Sequence, residues 1–167
     1  NEKIEAEKGA DSTRVSYYAL QSSILPEDVI YRDNGIPDVT EKLNDMMTEL
    51  ENLNKKKNML DIGEFKEKVQ NNGELDLKNK SDWKDPNFIY NAEIVANDVP
   101  GNILYGYVGK VYKIPDLVLV AGAGYAQIQA GTSKPEWNIF PFFGDDPRDT
   151  ARIIQGIQIY SARHKKK

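Results

Sequence analysis

Three carboxylates crowd together in the C-terminal part of this 167-residue chain: Asp145, Asp146 and Asp149, with Arg148 among them. Such a group can ligate a metal, or supply a general base beside a guanidinium. It can equally do no more than start a helix. Asp145-Asp146-Pro147 is a strong N-cap signal with proline at the first helical position, and carboxylates there are stabilised by about 0.3 to 1 kcal/mol each. A second candidate is Asp76 with Lys78, an acid and a base two residues apart in a segment read as extended, so that both project to one side. A third is Asn102 with Tyr105 and Tyr107. They follow Pro100-Gly101 at what reads as a helix opening, where free backbone N–H groups suit a phosphate or carboxylate; Asn102 alone can also cap that helix. His164 is the only histidine, so a His-pair mechanism and a His-rich metal site are both excluded, and it reads as part of a solvated basic helix end. The chain contains no P-loop, HExxH, CxxC or GxSxG. Acid–base chemistry therefore falls to Asp, Glu, Lys or Tyr, tuned by burial.

The elements that must position these groups are mostly helices. Asp38 with Glu41 has capping-box spacing, and Val39, Leu43, Met46, Met47 and Leu50 share one helical face. After the basic run Lys55-Lys56-Lys57, a shorter stripe of Ile62, Phe65 and Val69 ends at Asn71-Asn72-Gly73, a C-terminal signal. Residues 74–99, rich in Asp, Asn and Lys with Trp83, Phe88 and Tyr90 as anchors, read as a long surface excursion with little regular structure. Residues 102–112 and 115–130 read as a helical hairpin whose Gly106, Gly109, Gly122 and Gly124 mark close approach of two backbones or of a ligand. A loop with Pro135, Trp137, Pro141, Phe142 and Phe143 then leads to a last helix striped by Ile153, Ile154, Ile157 and Tyr160. The predicted fold is mainly α: a compact helical domain with a central helical hairpin and long irregular loops. One short β element is placed at 28–32, before the turn Asp33-Asn34-Gly35. Residues 1–23 read as a leading arm or linker from an upstream protein, and 24–167 as the folded domain.

Composition sets further bounds. With 40% apolar and 29% charged residues the chain is neither disordered nor membrane-spanning; its longest apolar stretch, 117–124, falls well short of the roughly 18 to 20 residues of a transmembrane helix. The absence of cysteine removes disulfides and thiolate metal sites. The opening residues show no signal peptide and no initiator methionine, and read as a fragment cut from a longer protein. The net charge of −4 is uneven: residues 100–167 carry nine Lys or Arg against five Asp or Glu, a balance of +4, and the remainder 13 against 21, a balance of −8. The basic part can face phosphates or be only a solvated surface.

Four stretches in register resemble the bacterial polymorphic toxin type 44 family. They are Phe65-Lys66-Glu67-Lys68-Val69-Gln70-Asn71-Asn72-Gly73 running into Asp76 and Lys78; Gly101-Asn102-Ile103-Leu104-Tyr105-Gly106-Tyr107-Val108-Gly109; Ala121-Gly122-Ala123-Gly124-Tyr125-Ala126-Gln127; and Gly144-Asp145-Asp146-Pro147-Arg148-Asp149 with Ile154, Gly156 and Ile157. The resemblance spans roughly 38–160. It departs at Glu74-Leu75, where the family commonly has Pro-Trp before its Asp, so the resemblance does not fix the local loop shape. It implies the C-terminal effector domain of a secreted antibacterial protein, delivered into a target cell and paired with a cognate immunity protein. Many such toxins are nucleases, so the first expectation is a metal-independent ribonuclease with no cofactor. In it Asp76 or Asp149 acts as base, Lys78 or Arg148 stabilises the developing charge, and Tyr105 positions or protonates. Asn102, Tyr107, Asp145, Asp146 and Trp137 would contact the RNA. The alternative is a cell-wall hydrolase with paired carboxylates such as Asp76 and Asp145 and an aromatic platform from Trp83, Trp137, Phe142 and Phe143. A membrane-disrupting toxin built on the 102–130 hairpin ranks lower, because Lys110, Lys113 and Asp116 interrupt its apolar surface; stable membrane insertion is not expected.

Overall fold

The computed structural model describes residues 35–55 and 61–165; the predicted leading arm, the strand at 28–32 and most of the Lys55-Lys56-Lys57 run lie outside them. Five α-helices dominate: α1 (Thr40–Asn54), α2 (Ile62–Val69), α3 (Val99–Val111), α4 (Asp116–Ala130) and α5 (Pro147–Arg163). None is long and apolar enough to cross a membrane. The described chain divides into two compact units, one holding residues up to 45 with 78–98, the other 46–77 with 99–167.

In the first unit the excursion read as irregular contains an antiparallel hairpin, β1 (Asn87–Tyr90) and β2 (Glu93–Ala96), with Phe88 opposite Val95 and Tyr90 opposite Glu93. Its two-residue turn holds Asn91 and Ala92 at positive φ, the backbone that tight hairpins require. The anchors behave as expected: Trp83, Phe88 and Tyr90 are buried, with Trp83 edge-on to Phe88. Lys42, on the first turn of α1, pairs with Asp82 at 2.6 Å and lies over the Trp83 ring. Asp38 accepts from the Thr40 amide at 2.9 Å, which starts α1 without the reciprocal bond of a full capping box.

The second unit is built around α3. Gly106 and Gly156 explain why. A Cβ on Gly106 would stand 2.0 Å from the Ile153 carbonyl oxygen, and one on Gly156 would stand 2.0 Å from that of Ile103, so α3 and α5 cross backbone against backbone. The hairpin connection from α3 to α4 is present, turning through Lys113 at positive φ, yet the tightest packing of α3 is with α5. Gly109 receives Leu119 of α4, and Gly124 lies against the backbone of Phe142 and Phe143. Close packing thus accounts for three of the four glycines singled out above. Gly122 is exposed and faces only the Tyr105 hydroxyl.

Candidate functional site

The start of α5 separates the crowded carboxylates by task. Asp146 is the N-cap and accepts from the Arg148 amide at 2.9 Å; the Arg148 guanidinium folds back onto the same carboxylate at 2.6 Å. That bond holds the Asp146 carboxyl below its ordinary range. Asp145 is turned inward and only 2% exposed. One of its oxygens accepts from the Thr150 hydroxyl at 2.6 Å and the other from the Gln127 side-chain amide at 2.9 Å. The same Gln127 nitrogen donates to Asp149 at 3.1 Å. One amide therefore spans two carboxylates that sequence spacing alone assigns to a cap.

Burial, with the nearby Asp149 and Asp146 charges, pushes the Asp145 carboxyl up to about 6, against the pull of the Thr150 bond. The fold therefore favours protonated Asp145. Its contribution to stability is complete below the ordinary value of 3.8 and is lost as pH rises through about 6. Asp145→Asn is accordingly expected to stabilise the domain by about 2 to 3 kcal/mol at pH 7 and hardly at all at pH 3.5. Urea midpoints at the two pH values measure this, and equal changes at both would refute it.

Tyr105 reaches toward this cluster from α3, but its hydroxyl donates to the Leu119 carbonyl at 2.7 Å. Burial, and then the charge of Asp145, push its phenol well above the ordinary value. Tyr105 is also the floor of a groove of about 720 Å³ between α2 and α4, walled by Phe65, Val69, Val118, Ala123 and Ala126. Among its described lining residues Lys66 alone is charged. The groove is suited to apolar contact; the carboxylate pair is suited to proton transfer.

Tyr107 points to a different place. Its hydroxyl donates to Glu51 of α1 at 2.6 Å and accepts from Arg163 at 3.2 Å; burial and the Glu51 bond push its phenol up to about 12. His164 stacks on Tyr160 and contacts the other Glu51 oxygen at 2.5 Å, while its second ring nitrogen meets the Tyr160 carbonyl at 2.7 Å. Both ring nitrogens face acceptors, so the imidazolium is the form that satisfies them. The Tyr160 carbonyl and Glu51 accordingly raise the His164 pKa. Burial opposes ionisation of Glu51, yet its bonds from Tyr107 and His164 hold it below the ordinary value. The histidine read as a solvated helix end is thus tied to a carboxylate 113 residues away, a partner that no local pattern signals.

The linkage has a window. Stability from His164 is complete below about 6.5 and is lost as pH rises through its raised folded value, while that from Glu51 is lost as pH falls through its lowered one. His164→Ala should lower the melting temperature by about 2 to 4 °C at pH 6, with the difference shrinking by pH 9. A pH-independent difference would show that the charged pair contributes nothing.

The remaining candidates have other surroundings. Asp76 accepts from the Asn72 amide at 2.7 Å, closing the turn after α2. Lys78 is exposed in a 3-10 turn, Leu77–Asn79, rather than in an extended segment, and Asp76 and Lys78 fall in different units. Asn102 is not a cap: α3 begins at Val99, with Pro100 in its first turn, where its missing N–H removes no helical bond. Trp137 is half-buried beneath the Lys134 ammonium, and its carbonyl accepts from Gly144, one residue before Asp145. Among the described residues no three of His, Asp or Glu come together as a group able to hold a metal.

The described chain is a mainly helical body with a buried carboxylate, Asp145, at the start of α5. A family model described as bacterial toxin 44 matches residues 64–162. That is more than half of the chain, and the chain belongs to the bacterial toxin 44 family. No curated protein and no solved structure matches. Tyr105, Gln127, Asp145, Asp149 and Thr150 all lie inside the matched region; Glu51, Arg163 and His164 lie outside it.

Proposed function

We propose that this chain is the toxic effector domain of a secreted antibacterial protein, and that it cleaves RNA by acid–base chemistry without a metal. The observation that carries this reading is the Asp145–Gln127–Asp149 arrangement. The buried Asp145 carboxyl, pushed up to about 6 and joined through one amide to the half-buried Asp149, sets beside the reacting carboxylate a group that exchanges its proton close to neutrality, the range in which acid–base catalysis is most effective. Asp149 takes the proton from a ribose 2′-hydroxyl. The 2′-oxygen bonds to the adjacent phosphorus as the phosphorus–5′-oxygen bond breaks, and water protonates the leaving oxygen. Arg148, whose side chain is 86% exposed, stands one residue away at the positive end of α5, where it meets the developing negative charge. Asp76, Lys78 and Tyr105 have no part in this scheme.

A second reading, wall-glycan hydrolysis, is favoured by one specific feature. A single shared donor keeps the two carboxylate oxygens no more than about 6 Å apart, near the roughly 5 to 5.5 Å of double-displacement glycosidases. Trp137, Phe142 and Phe143 lie in the loop that feeds Asp145. The two readings separate cleanly. Wild-type chain and Asp149→Asn are incubated with total RNA, DNA and peptidoglycan, and each is expressed in the cytoplasm and with a periplasmic export signal. RNA fragments from wild type alone, with killing from the cytoplasm, support the ribonuclease. Released muropeptides with killing only from the periplasm establish the glycan reading instead, and activity on none of the three overturns both. A cognate immunity protein would block the acid pair; co-purification with the product of the neighbouring reading frame tests that partner.

A further inference from the structure

We propose that Gln127 is a positioning residue of this site, holding Asp145 and Asp149 in register by giving each one hydrogen of its side-chain amide. The inference rests on the reading of Asp149 as the reacting carboxylate, but concerns a residue on another helix.

An amide NH2 has two hydrogens, and the Gln127 nitrogen spends both on carboxylates. The main chain around it is fixed from two sides. Three residues earlier, Gly124 presses its bare Cα against the Phe143 carbonyl, which locks that turn of α4 to the loop entering Asp145. Four residues later α4 ends at Gly131 in the left-handed conformation, with its amide directed to the Gln127 and Ile128 carbonyls. The Thr132 amide and hydroxyl also bond the Gln127 carbonyl. This is a Schellman-type end, and its bonds converge on one residue. From 117 to 130 α4 carries no charge, so the only thing it brings to the acid pair is this neutral donor. Two ionised carboxylates this close repel, and without a donor between them one retains a proton to higher pH. A glutamine supplies the donor without adding a titrating group.

The other groups facing the pair are the Tyr105 phenol from α3, the Thr150 hydroxyl on α5, and Asp146, which holds the Arg148 guanidinium and which Lys134 also faces. None of them is altered by a change at Gln127.

The test is a carboxyl-carbon NMR titration of Asp145 and Asp149 in the full chain, for wild type, Gln127→Leu, Gln127→Glu and, as control, Gln129→Leu two residues along α4. Removing the donor should raise the Asp145 midpoint by about one pH unit, and placing a third carboxylate there should raise it further; Gln129→Leu should leave it in place. On RNA, the acid limb of the kcat profile should move with the Asp145 midpoint while KM changes less than twofold. Should Gln127→Leu fail to fold, the nearly isosteric Gln127→Glu decides alone. An Asp145 midpoint unmoved in every folded Gln127 variant overturns the inference, whatever the chain cleaves. A wild type that cleaves no RNA overturns the ribonuclease reading and leaves the titration to be judged by itself.

Discussion

Asp149→Asn should lose its toxicity, with turnover falling by about 100- to 10,000-fold, the ordinary loss when a general base is removed. The substitution is chosen because it changes little else. Asparagine keeps an oxygen that can accept from Gln127, and the volume at the half-buried site is conserved. Removing one first-turn carboxylate from α5 costs about 0.3 to 1 kcal/mol of dipole interaction, partly offset by relief of repulsion with Asp145. A melting temperature close to that of wild type, with no RNA cleavage and no growth inhibition, would tie the effect to chemistry. Asp76→Asn is the contrast: it loosens the turn after α2 and should leave killing intact. If Asp149→Asn kills as wild type does, the reacting group is elsewhere and the ribonuclease scheme fails with it.

The largest stability effect is expected at the α3–α5 crossing. A methyl on Gly156 would meet the Ile103 carbonyl at 2.0 Å and the Tyr107 amide at 2.8 Å. Those atoms are backbone, so no rotamer change relieves the clash. The two helices must move apart, and the packing of Ile103, Tyr107 and Ile153 loosens with them. Overpacking of a core commonly costs about 1 to 3 kcal/mol; with main chain on both sides, Gly156→Ala and Gly106→Ala should each cost about 3 kcal/mol or more, a large share of the roughly 5 to 15 kcal/mol that holds an ordinary domain folded. Gly101→Ala has nothing within 4 Å of the new methyl and should instead stabilise α3 by about 0.5 to 1 kcal/mol. Denaturant midpoints decide the matter, and tolerance of Gly156→Ala would mean that the helices are not in backbone contact.

The helices were readable because their signals are local. The Leu43–Met47–Leu50 stripe, the Phe65 face ending at Asn71-Asn72-Gly73 and the Asp145-Asp146-Pro147 start each lie within a turn or two of the element they define. The β-hairpin was not, since its turn uses Asn91-Ala92 rather than a glycine-containing pair, and its strands are four residues each in a stretch dominated by Asp, Asn and Lys. Position along the chain also misled where a helix began earlier than its polar residue: Val99, not Asn102, opens α3. The candidate site divides in the same way. Asp145, Asp146, Arg148 and Asp149 could be picked out by crowding. Gln127 could not, because one neutral amide on an apolar helix carries no signal until the fold places it between two acids 18 and 22 residues away. Tyr105 and Tyr107 looked like one feature two residues apart, but that spacing sends helical side chains to well-separated faces, so one phenol ends beside Asp145 and the other beside Glu51.

Tyr105 has one more consequence. Its ring is at once the floor of the groove between α2 and α4 and a neighbour whose ionisation responds to the charge of Asp145. A compound designed against this toxin need not imitate an anion or compete with a long polymer. A neutral, greasy molecule of drug size matches the lining of that trench and would rest on the phenol whose far neighbour is Asp145.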